Sequence, residues 1–236
     1  MNKQSNTYTI LYIIVLVLIV GTALALTSLS LKGRQQANED ADKMHQILAS
    51  VNIETTDGDV AATYAKYITN SFVINEKGDV EEGVDAFEVN VSAQSKEAAA
   101  NRELPVYECR LDNGELKYIL PMYGAGLWGP IWGYISVDAD GSTVYGAYFA
   151  HQGETPGLGA EIEKPKFTDQ FAGKHLLIDG EFSPIAVVKA GMNAPEGQDA
   201  VDGVSGGTIT SKGVGAMIDN CLAPYDAFLK KLANDK

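Results

Sequence analysis

No charged side chain occurs between Ile10 and Leu31, and the stretch opens with the apolar run Ile10-Leu11-Tyr12-Ile13-Ile14-Val15-Leu16-Val17-Leu18-Ile19-Val20. A helix that crosses a bilayer needs about 20 mostly apolar residues. The competing reading is a signal peptide, with Ala23-Leu24-Ala25 as its cleavage site. However, the segment ahead of the run carries only Lys3, and uncharged sequence continues past Ala25. Residues 10–31 are therefore expected to be a retained anchor in the lipid bilayer, behind a short tail at 1–9. Its direction stays open, because Lys3 flanks one end while Lys32 and Arg34 flank the other.

The 236 residues leave room for one sizeable domain behind the anchor. A net charge of −13 excludes a nucleic-acid binder, which needs a basic patch, and a polybasic membrane tether. Cys109 and Cys221 form no C-x-x-C motif, so neither a dithiol centre nor a cysteine zinc site has support. They could pair only if folding brings them to disulfide distance; buried thiols are the other reading. His45, His151 and His175 lack metal-ligand spacing, which favours structural or surface roles and no metal site.

The remaining patterns predict an α+β domain. Asn38 to Val51 reads as a short amphipathic helix capped by Asn38, and Asp59 to Asn70 as a second helix with Val60, Tyr64, Tyr67 and Ile68 on its apolar face. A strand at Ser71 to Asn75 follows, then an acidic, alanine-rich stretch, Lys77 to Asn101, that is expected to be partly mobile. Strands at Val106–Leu111 and Glu115–Leu120 flank the turn Asp112-Asn113-Gly114. A second hairpin joins Ile131–Val137 to Thr143–Ala150 through Asp138-Ala139-Asp140-Gly141. Phe167 to Gly173 suggests a short helix, and Phe182 to Lys189 a strand in which Pro184 marks an edge or bulge. Apolar residues Val214, Met217, Cys221, Tyr225, Phe228 and Leu232 recur at helical spacing, with a break expected near Ala223 ahead of Pro224. Grouped strands with helices at both ends favour antiparallel α+β over a parallel α/β fold. The organisation is a tail at 1–9, an anchor at 10–31, a helical and linker region at 32–100 that packs on the soluble domain, and a main domain at 101–236.

Three glycine-rich segments carry the chemistry. In Asp202-Gly203-Val204-Ser205-Gly206-Gly207-Thr208-Ile209-Thr210-Ser211, Gly206 and Gly207 can take positive φ and expose successive N–H groups to an anion. A helix from about Ser211 would point its N-terminus at the same place. An ordinary turn with a helix cap fits the same letters. The segment lacks the Walker A ending and the dinucleotide G-x-G-x-x-G. The other two are Pro121-Met122-Tyr123-Gly124-Ala125-Gly126-Leu127-Trp128-Gly129-Pro130-Ile131-Trp132-Gly133 and His151-Gln152-Gly153-Glu154-Thr155-Pro156-Gly157-Leu158-Gly159-Ala160-Glu161. Both sit at strand ends, where ligand-carrying loops are held rigidly. Their glycines would admit a flat ring, with Trp128 or Tyr123 over one face and Leu158 and Thr155 adding an apolar contact and a hydroxyl.

Together these motifs resemble the C subunits of the bacterial sodium-translocating NADH:quinone oxidoreductases, over nearly the whole chain. Ser205-Gly206-Gly207-Thr208 is similar to the family's flavinylation motif Ser-Gly-Ala-Thr, with Gly207 in place of alanine. Glu154-Thr155-Pro156-Gly157-Leu158-Gly159 resembles a signature of this flavin domain, and Tyr123-Gly124-Ala125-Gly126-Leu127-Trp128-Gly129 one associated with the C subunits. The G-type flavin protein of the Rnf electron-transport complex shares the first two motifs and matches the third poorly. The resemblance implies FMN carried as a phosphoester on Thr208, transferred from FAD by a separate flavin transferase. Ser205, Gly206 and Gly207 would help hold the phosphate, while Thr155, Gly157, Leu158, Gly159 and Trp128 would border the ring.

It further implies a soluble domain on the periplasmic side of the inner membrane. The chain would act with other subunits of a membrane redox complex that passes electrons from NADH to quinone and exports sodium. NADH would bind elsewhere, no acid or base is needed for the electron transfer, and the chain would not be catalytic alone. Asp202 is expected either to cap the turn or to be recognised by the transferase. Two alternatives differ in function: the Rnf G-type flavin protein, and a membrane-anchored extracytoplasmic binding or sensor domain without flavin.

Overall fold

The computed structural model describes residues 6–56 and 58–234; Lys3 lies outside them. The chain divides into two compact units, residues 1–43 and 44–236.

Helix α1 (Asn6–Ala49) fills the described part of the first unit and ends in the second. Its apolar part has a mean hydropathy of 2.8 and is not buried by the rest of the chain, so it is long and apolar enough to cross a membrane. Two of the hydroxyls within it bond to the helix itself: Thr27 donates to the Ala23 carbonyl at 2.9 Å and Ser30 to that of Thr27 at 2.8 Å. No new helix starts at Asn38, which corrects the sequence expectation. Asn38 lies inside α1, because the Lys, Arg, Gln, Ala and Glu residues around it are good helix formers and carry the helix through the single Gly33.

In the second unit, α2 (Val60–Tyr67) stops earlier than its apolar stripe suggests, since Ile68 is already extended and opens β1 (Ile68–Ile74). A β-branched Ile-Thr pair fits a strand better than a helix end. The acidic stretch expected to be mobile instead folds into short elements, β2 (Val80–Glu81), α3 (Val91–Gln94) and a 3-10 turn at Ala99–Asn101. Ala86 and Val89 within it are buried. Arg102 ties it down, donating to the carbonyls of Ser95, Glu97 and Asn220 at 3.1, 2.9 and 2.6 Å.

Strands β3 (Leu104–Arg110), β4 (Leu116–Ala125), β5 (Pro130–Asp138) and β6 (Val144–His151) complete an antiparallel sheet ordered β2-β1-β3-β4-β5-β6. Both predicted hairpins form, with Gly114 and Gly141 at φ +86° and +69°. Strand β4 continues past its expected end at Leu120 and through Pro121. Pairing with β3 spans only Leu116 to Ile119 of β4. Beyond that point β4 has a free edge on one side, where a proline costs no ladder bond.

Side chains alternate between two cores. Val106, Leu120, Met122, Ile131 and Ile135 face one; Tyr107, Cys109, Ile119 and Tyr134 face the other. The second core is closed by Ile47, Val51 and Tyr64. The first is closed by α5 (Thr208–Leu222) and α6 (Asp226–Asn234) and by a 3-10 turn at Gly159–Glu163 followed by α4 (Pro165–Thr168). Phe149, Phe167 and Phe171 pack against one another with centroids 5.0–5.6 Å apart, two pairs edge-to-face and the Phe149–Phe171 pair tilted. Each such pair adds about 0.5–1.5 kcal/mol beyond burial, and the trio fixes the segment leaving β6. Cys109 and Cys221 lie in opposite cores as free thiols, so they do not pair.

Between α4 and α5 lie β7 (Leu177–Ile178), β8 (Glu181–Phe182), β9 (Ala186–Val188) and β10 (Ala200–Asp202). The strand expected at 182–189 is thus split at Pro184. Its second half pairs with β10 in parallel, a small exception to the antiparallel rule. Helix α5 ends at Leu222, and a 3-10 turn at Ala223–Tyr225 precedes α6, as the Pro224 signal predicts.

Candidate functional site

The three glycine-rich segments meet at one end of the sheet. Gly126 to Gly129 form the tip of the β4–β5 hairpin, closed by a hydrogen bond from Gly126 N–H to the Gly129 carbonyl at 2.8 Å. The 151–159 loop follows β6 beside it. The turn Val204–Gly207, closed at 3.0 Å, leads into α5. Gly206 sits at φ +79°, which a side chain would disfavour. Gly207 has φ −102°, so only one of the two glycines uses the left-handed region.

Helix α5 begins at Thr208, three residues before the position expected. Its N-cap is Gly207, and no side chain makes a cap bond. Ordinary capping therefore does not account for the hydroxyls here, and the first N–H groups of the helix keep their capacity for an anion. Ser211 is buried and accepts from Val204 N–H at 2.9 Å, holding the turn against the helix.

A cavity of about 220 Å³ is lined by Trp128, Thr155, Leu158, Gly159, Gly206, Gly207 and Thr208, together with Leu127, Glu154, Ile209 and Thr210. Seven of the predicted site residues thus come together. Ser205 and Gly157 do not line it. Ser205 borders a neighbouring cavity of about 290 Å³ that Gly206 and Thr208 share. Gly157 and Ser205 also border a larger one of about 600 Å³. Tyr123 does not line the first cavity; its N–H donates to Cys221 Sγ of α5 at 3.4 Å. The Asp202 carboxylate accepts from Gly191 N–H at 3.2 Å, a turn-holding bond.

The rim of the site is apolar. Leu127, Trp128, Leu158 and Ile209 are 48%, 69%, 43% and 57% exposed. Elsewhere in the second unit, only Val80 and Met192 are comparably exposed large apolar residues among those described. A cluster of this kind marks a binding surface.

The residue that sequence reasoning missed is Glu154. It is 5% exposed. Its Oε1 accepts from Trp128 N–H at 2.8 Å and its Oε2 from the Thr210 hydroxyl at 2.6 Å. A Cβ on Gly126 or Gly159 would collide with this carboxylate. These two glycines make room for Glu154 rather than for a flat ring. Burial alone would raise the Glu154 pKa. The bonds from Thr210 and from the Trp128 and Leu127 N–H groups outweigh it and hold the carboxyl below its usual value. The only local signal was a charged residue inside an otherwise neutral loop motif.

The histidines take structural roles. His151 Nδ1 accepts from Glu154 N–H at 3.2 Å, His175 Nδ1 lies 3.0 Å from Asp199, and His45 Nδ1 lies 2.6 Å from the Thr55 hydroxyl. Among the described residues no group of three or more His, Cys, Asp or Glu could hold a metal.

Comparison with known proteins places the chain in a family. The FMN-binding domain family matches residues 126–223, which contain all three segments' site residues. The C subunit of the Na(+)-translocating NADH-quinone reductase of Vibrio alginolyticus is 34% identical over 98% of this chain and 96% of its own. Its Pasteurella multocida counterpart is 35% identical over 90% and 88%. The crystal structure of the Parabacteroides distasonis counterpart is 50% identical, with a TM-score of 0.78 over 84% of this chain and 96% of its own. NqrC of Shewanella oneidensis gives 26% identity and a TM-score of 0.67 over 83% and 98%. The chain belongs to the NqrC family, the C subunits of the Na(+)-translocating NADH-quinone reductases, and carries its FMN-binding domain.

Proposed function

We propose that Thr208 carries FMN as a phosphoester and that the chain passes electrons within a sodium-translocating NADH:quinone reductase. The observation that carries this is the position of Thr208: exposed, first in α5, after the Gly206 turn, and on the wall of two adjoining cavities. A hydroxyl buried in the helix could not be esterified; this one is open to a modifying enzyme.

The residues present fit the cofactor. On one side of Thr208 the cavity of about 290 Å³ is lined by Lys189 and Lys212 and by no acidic residue. Lys212 stands one helical turn after Thr208 and so shares its face of α5. In a chain of net charge −13, this is a suitable seat for a phosphate, with Ser205, Gly206, Gly207 and the first N–H groups of α5 around it. On the other side Trp128, Leu127, Leu158 and Ile209 offer apolar surface for the ring, with Thr155 and Gly159 on the same wall; Gly157 borders the larger adjoining cavity.

In the attachment step, Thr208 Oγ1 forms a bond to the flavin-side phosphorus of FAD, the pyrophosphate P–O bond breaks, and AMP leaves. The hydroxyl proton goes to the flavin transferase, and Asp202 is exposed near enough in sequence to be recognised by it. When bound, the flavin supplies the electron-accepting and electron-donating chemistry. The protein's part is to retain it through every redox state, orient it between the two walls and limit water at the apolar rim.

Helix α1 spans the lipid bilayer through residues 10–31, with the FMN-binding domain on the periplasmic side and other subunits of the complex as partners. The end-to-end match to C subunits favours this over an Rnf G-type protein or a flavin-free sensor. The test is to coexpress the chain with its flavin transferase, denature it and look for in-gel flavin fluorescence. The wild type gives a fluorescent band; a Thr208→Ala variant that kept the band would overturn the assignment.

A further inference from the structure

Glu154 is a buried carboxylate at the wall of the Thr208 cavity, with His151 beside it. Among the described residues no Lys or Arg forms an ion pair with it. Two donors bond it instead, Trp128 N–H and the Thr210 hydroxyl, with the Leu127 N–H adding to the positive side of the site. Two glycines are spent to admit it, Gly126 on the hairpin and Gly159 on the following loop. Burying a charge is costly unless it is well hydrogen-bonded. The chain meets that cost at the junction of the three segments that form the cavity.

We propose that Glu154 is both the hub that holds the hairpin tip and the first turn of α5 in one wall, and a fixed negative charge that lowers the reduction potential of a flavin held at Thr208. The inference rests on the FMN reading above. Adding one electron to the bound ring, from any donor, adds negative charge. A carboxylate in a partly dry wall opposes that change more strongly than one in water. The donors pointing at Glu154 keep it ionised, so the charge is a constant of the site.

Spectroelectrochemical titration of the flavinylated full chain, coexpressed with its transferase and reduced with dithionite, tests this. Glu154→Gln removes the charge and keeps one acceptor. Thr210→Val and Glu154→Asp loosen the hub and keep the charge. The Glu154→Gln flavin is expected to be easier to reduce by about tenfold in the one-electron equilibrium, which is about 59 mV upward. Thr210→Val and Glu154→Asp are expected to stay within about twofold of wild type.

An unchanged potential in Glu154→Gln overturns the charge assignment. So does an equal upward shift in Thr210→Val, since a merely structural hub would move both. If Glu154→Gln does not fold, the other two variants decide: a tenfold shift in either overturns the proposal, and wild-type behaviour in both supports it. A wild-type chain with no fluorescent band would instead sink the FMN reading itself, before any potential is measured.

Discussion

The Thr210 hydroxyl donates to Glu154 Oε2 at 2.6 Å across 56 positions of sequence, joining the first turn of α5 to the loop that leaves β6. Both residues are buried, so neither partner can turn to water if the other is lost. Thr210→Val keeps the shape and removes the donor. Leaving a buried charged acceptor short of a bond costs about 1–3 kcal/mol. Chemical denaturation of the flavin-free chain in detergent should show that loss, and Thr210→Ser, which restores the hydroxyl, should recover most of it.

Glu154 also predicts how stability depends on pH. Burial would raise its folded pKa, but the convergent donors hold the carboxyl below its usual value. A depressed carboxyl contributes stability that is fully present above its unfolded pKa and is lost as pH falls through the folded one. The denaturation midpoints of wild type and Glu154→Gln should therefore differ most above about pH 5, where an unfolded Glu is ionised, and converge as the pH falls through the depressed folded value. A difference that grows on acidification would contradict the sign.

Lys212 lies one helical turn from Thr208 and lines the cavity that has lysines and no carboxylate. It is exposed, so its attraction for a phosphate is screened and modest, on the order of 0.5–1 kcal/mol. Lys212→Gln should slow flavin attachment by roughly two- to fivefold, read as the growth of in-gel fluorescence with time. Lys189→Gln should act in the same direction. Raising the salt concentration should shrink both effects, because exposed charges are screened.

The two cysteines should behave as independent buried thiols. Burial pushes the Cys109 thiol up to about 11, with the Lys117 cation opposing. Burial also raises that of Cys221, against the Tyr123 backbone bond and Arg102. Thiolate, the reactive form, is scarce at neutral pH in both. Alkylation without reductant should leave the folded chain unlabelled and label both thiols after denaturation, as measured by intact mass. A denatured chain that resisted labelling would point to the disulfide that the opposite cores argue against.

What was legible in the sequence was local. The hairpins announced themselves through Asn113-Gly114 and Asp140-Gly141, and α5 through its apolar spacing and the stop at Pro224. The extent of α1 was not legible, because the change from apolar to polar residues after Leu31 resembles a boundary while the backbone has no reason to break. The passage of β4 through Pro121 depended on where β3 ends, which only the register reveals. Within the site, Thr208 and its neighbours were legible from a short motif. Glu154 was not, because its role exists only once Trp128, Gly159 and Thr210 converge on it from three segments.

Gly213 offers the sharpest test of that convergence. In an exposed helix interior, Gly→Ala usually stabilises by about 1 kcal/mol. Here the added Cβ would press on the Ala125 backbone carbonyl and approach Ile131 Cδ1 at 3.5 Å. Ala125 lies within the β4–β5 ladder opposite Pro130, which fixes its backbone position, so relief must come from lifting α5 off the sheet. Overpacking of this kind costs about 1–3 kcal/mol, which exceeds the propensity gain and reverses the usual sign. Gly213→Ala should therefore destabilise the chain in denaturant. Lifting α5 would also strain the Thr210–Glu154 bond, so the flavin attachment proposed at Thr208 should fall along with stability. A Gly213→Ala chain more stable than wild type would show that α5 is not held as closely to β4 as the geometry requires.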